Sequence, residues 1–140
     1  MTIKIGTDLC DPKRIEKILR RYGKKFIARI LTTEEQDYLE FGLNQKNLKP
    51  SINHRIAARY AAKEAVAKAL GTGIGKEISF QDILILKYEN SSAPYVKLIN
   101  NAAKVAEKLG LSKWDISISH EKTMSIAVVI GYSENNKKKD

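Results

Sequence analysis

The sequence predicts a single domain of the α+β class, in which an antiparallel sheet packs against one long helix. Helical patterns gather in the first half of the chain and strand patterns in the second, which is typical of this class. The length of 140 residues suits one compact domain, and a hydrophobic content of 43% supplies its core. We assign residues 1–133 to this domain and expect the lysine-rich residues 134–140 to form a disordered tail.

Hydrophobic periodicity and helix start and stop residues place the elements along the chain. Asp11 is expected to cap the first helix and Gly23 to end it, while Thr32 and Glu35 have the spacing of a capping box. The longest helix is rich in alanine and stops at Gly71. In chain order, the predicted segments are a strand at 2–10, a helix from Pro12, a short helix opened by the capping box, a polar loop at 44–53, a helix from about Ser51 to Leu70, strands near 78–88 and 94–99, a helix at 100–109, and strands near 114–120 and 123–132 joined by a tight hairpin.

The net charge of +9 is concentrated in two segments. Residues 12–29 hold eight basic side chains and one acidic side chain, and residues 46–68 hold six basic side chains and one acidic. Such blocks are typical both of solvated helix faces and of surfaces that bind anionic partners. A nucleic-acid-binding module is one alternative, but the basic segments carry few of the aromatic side chains that stack on bases. We therefore expect no nucleic-acid partner.

Several classes of protein are excluded by what the chain lacks. Its single cysteine, Cys10, excludes a disulfide framework and a cysteine-rich zinc site. No apolar run is long enough to span a membrane, and the segment MTIKIGTDLC has no signal-peptide apolar region. We therefore expect a soluble cytoplasmic protein with no membrane partner.

Two acidic side chains stand out because their sequence neighbours are apolar or small. Asp8 interrupts the first predicted strand, where aspartate is disfavoured, so it is either a strand-end residue or a functional carboxylate. Glu64 lies among alanines that would let a ligand approach, and the alternative is a surface carboxylate paired with Lys68. Two carboxylates from different elements can hold Mg²⁺, which completes its shell with water and substrate phosphate.

Three further features are candidates for binding phosphate. Arg55, Arg59 and Lys63 recur every four residues along the longest helix and could form a basic ridge. The glycine-rich segment 71–75 permits close approach to its backbone, although glycines at this place are also ordinary helix caps. His120 ends a predicted strand, where it is either an exposed polar residue or a ligand contact.

These segments occur together in an order typical of one family. The residues concerned cover most of the range 3–130 and comprise Ile5 to Leu9 (IGTDL), Arg29 to Thr32 (RILT) with Glu35, Arg59 to Ala65 (RYAAKEA), Lys68 to Gly75 (KALGTGIG), Ser79 to Ile83 (SFQDI), Pro94-Tyr95, and Ser117 to Glu121 (SISHE). On these residues the chain resembles the holo-[acyl-carrier-protein] synthases, the short bacterial-type 4′-phosphopantetheinyl transferases.

The resemblance implies a reaction and an assembly. The reaction is the transfer of 4′-phosphopantetheine from coenzyme A to a serine of apo-acyl carrier protein, which releases adenosine 3′,5′-bisphosphate in support of fatty acid biosynthesis. The assembly is a homotrimer whose active sites lie between subunits. A trimer that has lost catalysis is an alternative, but the presence of Asp8, Glu64 and Lys68 together argues against it.

The resemblance also implies roles for individual residues. Asp8 and Glu64 match the Mg²⁺ ligands of the family, and Lys68 matches the lysine one helical turn after the glutamate. We expect these three residues to be catalytic, with Glu64, directly or through metal-bound water, as the base for the serine hydroxyl. The expected coenzyme A contacts are Lys46, Arg55, Arg59, Lys63, Gly71, Thr72, Gly73 and His120. The expected contacts with the acidic carrier protein are Arg14, Arg21 and Phe26.

Overall fold

Helices occupy the first half of the chain and antiparallel strands the second. The computed structural model describes residues 1–39 and 50–134. The elements in these ranges are β1 (Ile3–Cys10), α1 (Pro12–Tyr22), α2 (Lys24–Ile30), α3 (Thr33–Tyr38), α4 (Pro50–Ala69), β2 (Ile83–Lys87), β3 (Pro94–Leu98), α5 (Asn100–Lys108), β4 (Lys113–Glu121) and β5 (Met124–Tyr132), with a 3-10 turn at Phe80–Asp82. No helix in the described part of the chain has both the length and the apolar character needed to cross a membrane.

The strands form two antiparallel sheets, which confirms the predicted α+β class. One sheet has the strand order β1-β5-β4, and the other consists of β2 and β3. In the β4–β5 hairpin Glu121 pairs with Met124, so only two residues form the turn. The central strand β5 thus pairs with β1, from the start of the chain, on one side and with β4 on the other.

The three-stranded sheet packs directly on α4, as the sequence predicts. A Cβ atom placed on Gly6 of β1 would lie 1.8 Å from the carbonyl oxygen of Ala65 on α4, so any side chain larger than hydrogen would force the strand and helix apart. Ala61 and Ala62 on the same helix are fully buried. Small residues on both elements therefore bring β1 close to the middle of α4.

The predicted helix caps are confirmed. The Asp11 carboxylate accepts a hydrogen bond of 2.9 Å from the Lys13 backbone, and Gly23 ends α1 with a φ of +53°. Thr32 and Glu35 cap each other reciprocally: the Thr32 backbone N–H donates to the Glu35 carboxylate and the Glu35 backbone N–H donates to the Thr32 hydroxyl. These local hydrogen bonds set where α1 and α3 begin.

Three boundaries differ from the prediction. The strand expected at 78–88 begins only at Ile83, because Ser79 and Asp82 cap each other and turn the preceding residues into a 3-10 turn. Helix α2 was not predicted, and the predicted loop at 44–53 ends earlier than expected, because α4 begins at Pro50, within one residue of its predicted start near Ser51. Residues 40–49 and 135–140, which include most of that loop, Lys46 and nearly all of the predicted tail, lie outside the described residues.

Candidate active site

The structure brings Asp8, Glu64 and Lys68 together, and we call these three residues the acid cluster. The Lys68 ammonium donates to the Asp8 carboxylate over 2.9 Å and to the Thr7 carbonyl over 3.1 Å. The Lys68 side chain is 53% exposed and that of Asp8 is 18% exposed. Among the ion pairs of the described residues, Lys68 therefore pairs with Asp8 and not with Glu64, which excludes the simple surface pair considered above.

Glu64 is half-buried beside the Asp8–Lys68 pair. Burial, followed by the negative charge of Asp8, raises the pKa of the Glu64 carboxyl, and the charges of Lys68 and Arg14 oppose this effect. A raised pKa brings a carboxylate nearer to the range that suits a general base at neutral pH. The Asp8 charge therefore acts on Glu64, and the two carboxylates belong to one electrostatic cluster.

The donor set of the acid cluster fits a hard divalent cation. The described residues contain no group of three or more histidine, cysteine, aspartate or glutamate side chains that could form a cage for a metal ion. Two carboxylates without such a cage suit Mg²⁺, which retains water and takes further ligands from a phosphate-bearing substrate. Asp8 and Glu64 are thus the residues that would hold the ion.

Arg14 borders the acid cluster from α1. Its guanidinium lies 5.3 Å from the centre of the Tyr60 ring and donates to the Tyr60 hydroxyl over 3.3 Å. Tyr60 lies one helical turn before Glu64, on the same face of α4. The other two predicted carrier contacts lie further along the same part of the chain, with Arg21 exposed over the ring of Tyr22 and Phe26 half-buried against the core.

A second site, which we call the basic pocket, lies on another face of α4. Its volume is about 740 Å³, and the residues that line it are Ser51, His54, Arg55, Ala58, Arg59, Ile85, Lys87, Ser92, Pro94, Ile118, His120, Glu121 and Lys122. Three predicted coenzyme A contacts, Arg55, Arg59 and His120, therefore meet in one cavity. Burial, followed by the charges of Arg59 and Arg55, lowers the pKa of Lys87. This concentration of positive charge suits an anionic ligand.

Arg59 is the most deeply buried cation of the basic pocket. Its side chain packs against the Tyr38 ring at 5.8 Å, and the residue is only 5% exposed. Burial is the largest cause that lowers the pKa of Arg59. Within the described ranges its Nε atom has no hydrogen-bond partner. Because a buried donor without a partner is costly, an anion that reached this N–H would be held strongly.

Lys63 does not belong to this pocket, which corrects the prediction of a basic ridge. Its ammonium is fully buried and donates to the Ile30 carbonyl, the Phe80 carbonyl and the Glu35 carboxylate. A step of four residues rotates a position by about 40° around a helix, so two steps from Arg55 turn Lys63 away from the pocket and into the core. Lys63 is therefore unavailable to coenzyme A.

The glycine-rich segment folds back over the end of α4. The Gly71 N–H donates to the Lys68 carbonyl, and the Thr72 and Gly73 N–H groups both donate to the Ala67 carbonyl. Gly71 and Gly73 have φ values of +80° and +63°, which favour glycine. These bonds show the helix-cap role that was the alternative interpretation, and they hold the segment next to Lys68.

The acid cluster and the basic pocket lie on opposite sides of α4. Arg55 and Glu64 are nine residues apart, which is about two and a half helical turns, so their side chains point in opposite directions. One chain by itself therefore does not place its carboxylates beside its own basic pocket.

Several residues that line the pocket were not predicted from the sequence. Lys87 is an example: it lies two residues after Ile85 on β2, and both line the cavity. Strand alternation would have placed these two side chains on one face. Lys122 belongs to the hairpin turn beside His120, a position that the strand pattern alone could have linked to that histidine.

Known proteins resemble this chain over most of its length. The 4′-phosphopantetheinyl transferase superfamily profile matches residues 4–129. The holo-[acyl-carrier-protein] synthase of Chlamydia caviae is 43% identical over 129 residues, which are 92% of this chain and 96% of the relative.

Two crystal structures share the fold over nearly the whole chain. The holo-[acyl-carrier-protein] synthase of Neisseria meningitidis has a TM-score of 0.78 at 35% identity and covers 93% of this chain and 98% of its own. The Helicobacter pylori enzyme in complex with coenzyme A has a TM-score of 0.75 at 34% identity and covers 91% and 99% of the two chains. The chain thus belongs to the holo-[acyl-carrier-protein] synthase family of 4′-phosphopantetheinyl transferases.

Proposed function

We propose that the protein transfers 4′-phosphopantetheine from coenzyme A to a serine of apo-acyl carrier protein at a site that two subunits build together. The observation that carries this proposal is the division of the site residues between two faces of α4. The acid cluster offers carboxylates and a lysine, whereas the basic pocket offers cations for a nucleotide and lies on the opposite side of the helix.

In this proposal the residues of the acid cluster carry out the chemistry. Mg²⁺ held by Asp8 and Glu64 would neutralise negative charge on the pyrophosphate of coenzyme A. Glu64 accepts the proton of the serine hydroxyl, a role that its half-buried place beside Asp8 and Lys68 supports. The serine oxygen bonds to the phosphorus that carries pantetheine, and the bond from this phosphorus to the leaving adenosine 3′,5′-bisphosphate breaks. Lys68 stabilises the charge on the departing phosphate and can donate a proton to it.

The basic pocket then binds the nucleotide part of coenzyme A. Arg55, Arg59 and His120 converge there, and the Nε of Arg59, which has no partner among the described residues, supplies a buried donor for a phosphate oxygen. Lys87 and Lys122 add positive charge at the same cavity. The backbone of Gly71, Thr72 and Gly73 is proposed to approach the substrate from the acid cluster, because its hydrogen bonds keep it beside Lys68.

An apolar surface on the outer face of the sheet supports assembly as a homotrimer. Ile3, Ile5 and Leu9 alternate with inward-facing residues on β1, and all three are exposed, Ile5 by 66%. Ile130, which pairs with Ile5 across the strands, is also exposed. A patch of large apolar side chains on a sheet is typical of a protein-protein interface. A second subunit that covers β1 would approach the strand that carries Asp8.

The exposed basic face of α1 suits an acidic carrier protein. Arg14 lies beside Glu64, so a carrier bound there would have its serine near the proposed base. Arg21 and Phe26 extend the surface towards α2. Attraction between this surface and an acidic partner steers association and weakens as salt is added.

Because coenzyme A and carrier proteins serve fatty acid synthesis, we place the reaction in the cytoplasm.

The activity is tested by incubating the protein with coenzyme A, Mg²⁺ and an apo-carrier protein. Mass spectrometry should show the carrier gaining one phosphopantetheine group per chain. A chelator in excess should stop the reaction, and added Mg²⁺ should restore it. An unmodified carrier in the presence of Mg²⁺ would contradict the proposal.

The division of the site between subunits is tested by complementation. One variant, Asp8→Asn, damages the acid cluster, and another, Arg55→Ala with His120→Ala, damages the basic pocket. Each homo-oligomer should be inactive, whereas oligomers reassembled from both variants should recover part of the activity, because some interfaces then combine two intact halves. Absence of recovery in mixed oligomers would contradict a site between subunits, without affecting the reaction itself.

A further inference from the structure

Glu35 and Lys63 form an ion pair that solvent does not reach, and we call it the core pair. Both side chains are 0% exposed. The Lys63 ammonium donates to the Glu35 carboxylate, to the Ile30 carbonyl over 2.6 Å and to the Phe80 carbonyl over 3.0 Å. Because an ammonium has three protons, each of them has one acceptor.

Both oxygens of the Glu35 carboxylate also accept hydrogen bonds. Besides Lys63, the carboxylate accepts the Thr32 N–H over 3.0 Å and the Ile85 N–H over 3.2 Å, one on each oxygen. The core pair thus joins five parts of the fold: the end of α2, the start of α3, the middle of α4, the 3-10 turn and β2.

The core pair lies between the two halves of the proposed active site. Lys63 directly precedes Glu64, so their side chains leave α4 about 100° apart. On the other side of Glu64, the Ala65 backbone is in contact with Gly6 of β1. Helix α4 is therefore held on both sides of Glu64. The Ile85 backbone, which the core pair binds, belongs to a residue that lines the basic pocket.

We propose that Glu35 and Lys63 are positioning residues, and that the core pair fixes the rotation of α4 so that Glu64 faces Asp8 while Arg59 faces the basic pocket. This inference rests on the proposed role of Glu64 in the transfer. Stability alone does not account for the pair, because replacing a buried ion pair with apolar residues of similar volume is often neutral or stabilising. Five directed hydrogen bonds specify an orientation that apolar packing does not.

Two variants change the core pair without leaving an unpaired buried charge. Glu35→Asp keeps the charge but draws the carboxylate back by one methylene, and the double variant Glu35→Gln with Lys63→Met removes both charges. The matched control is Ile56→Ala, which removes a fully buried side chain elsewhere on α4 and loosens packing without touching the pair. Circular dichroism and thermal unfolding establish that each variant is folded.

We expect both core-pair variants to fold but to lose kcat by about tenfold or more, since small displacements of a catalytic group are sufficient for such losses. The KM for the carrier protein should stay within about twofold of the wild-type value, because Arg14 is not displaced. Binding of Mn²⁺ to the acid cluster, measured by electron paramagnetic resonance, should weaken by about tenfold, since it needs both carboxylates in place. Ile56→Ala should change neither kcat nor Mn²⁺ affinity.

Wild-type kcat and Mn²⁺ affinity in either folded core-pair variant would overturn the inference. It would also be overturned if Ile56→Ala lost as much kcat as a core-pair variant of equal stability, or if both core-pair variants failed to fold, because the pair would then be purely structural. A wild-type protein that leaves the carrier unmodified would contradict the proposed function instead, and the Mn²⁺ measurements would still decide the role of the core pair.

Discussion

Lys63 and Glu64 are neighbours in sequence, yet they belong to opposite kinds of polar cluster. In the core pair, both charged groups are excluded from water and all three ammonium protons are bonded. In the acid cluster, Lys68 is 53% exposed, and Glu64 takes part in no ion pair with the described residues. A buried charge whose hydrogen bonds are all made specifies the geometry around it. A half-buried carboxylate without an ion pair can instead bind a cation or accept a proton.

The strongest test of this contrast is Glu64→Gln. The amide cannot accept the serine proton and is a poorer ligand for a cation, so the rate of transfer should fall by about 10²–10⁴-fold. The fold should be retained, because Glu64 has no ion pair in the described structure to lose. Mass spectrometry of the carrier measures the rate, and circular dichroism checks the fold. Transfer by Glu64→Gln at more than a tenth of the wild-type rate would contradict the role of Glu64 as base and cation ligand.

The converse test is Lys63→Met, which should lower stability far more than the removal of an exposed lysine. It leaves the Glu35 charge buried without a cation, which costs about 3–5 kcal/mol of the free energy of unfolding. Urea denaturation measures this loss. Lys68→Met is the matched control, since the loss of an exposed partner should cost no more than about 1 kcal/mol. Equal losses in the two variants would show that the buried and exposed lysines do not differ as described.

The same control variant makes a prediction about activity. Lys68→Met should lower kcat by about 10²-fold, because the charge on the departing phosphate loses a cationic donor. Single-turnover measurements would separate this effect from substrate binding. A change in KM for coenzyme A with kcat unchanged would instead assign Lys68 to binding alone.

A smaller effect is expected at the edge of the acid cluster. Arg14→Glu should raise the KM for the carrier protein by about tenfold, equivalent to roughly 1.4 kcal/mol, through lost attraction to an acidic surface. The KM for coenzyme A should not change, and the effect should shrink at high salt. Equal changes in both KM values would place Arg14 in the nucleotide site.

The smallest effect concerns pH and stability. Since the folded protein raises the pKa of Glu64 above its ordinary value of 4.5, the carboxyl stabilises the fold only while protonated, and this contribution is lost as the pH rises through the raised pKa. With metal ions removed by a chelator, Glu64→Gln should therefore unfold at a higher temperature than the wild type at pH 8. At pH 4 the two proteins should unfold at the same temperature. A lower unfolding temperature for Glu64→Gln than for the wild type at pH 8 would contradict a raised pKa of Glu64.

Several parts of the fold and the site could be predicted because they depend on local patterns. The Asp11 cap, the Thr32–Glu35 capping box and the closing hairpin involve residues only a few positions apart. Asp8 and Glu64 were recognisable as candidates because each is acidic in an apolar or small-residue context. The 3-10 turn before β2 was missed because the mutual capping of Ser79 and Asp82 competes with the strand pattern over the same residues.

By itself, the sequence determined the order of the strands and of the longer helices, the two basic segments and the carboxylates able to bind a cation. Only the tertiary structure decided that Lys63 is a core residue, that Lys68 pairs with Asp8 rather than Glu64, and that Lys87 joins Arg59 in one pocket. The physical reason is distance along the chain. A helix pattern gives the relative directions of side chains, but their partners lie 28 and 60 residues away for Lys63 and Lys68, and only packing brings them into contact.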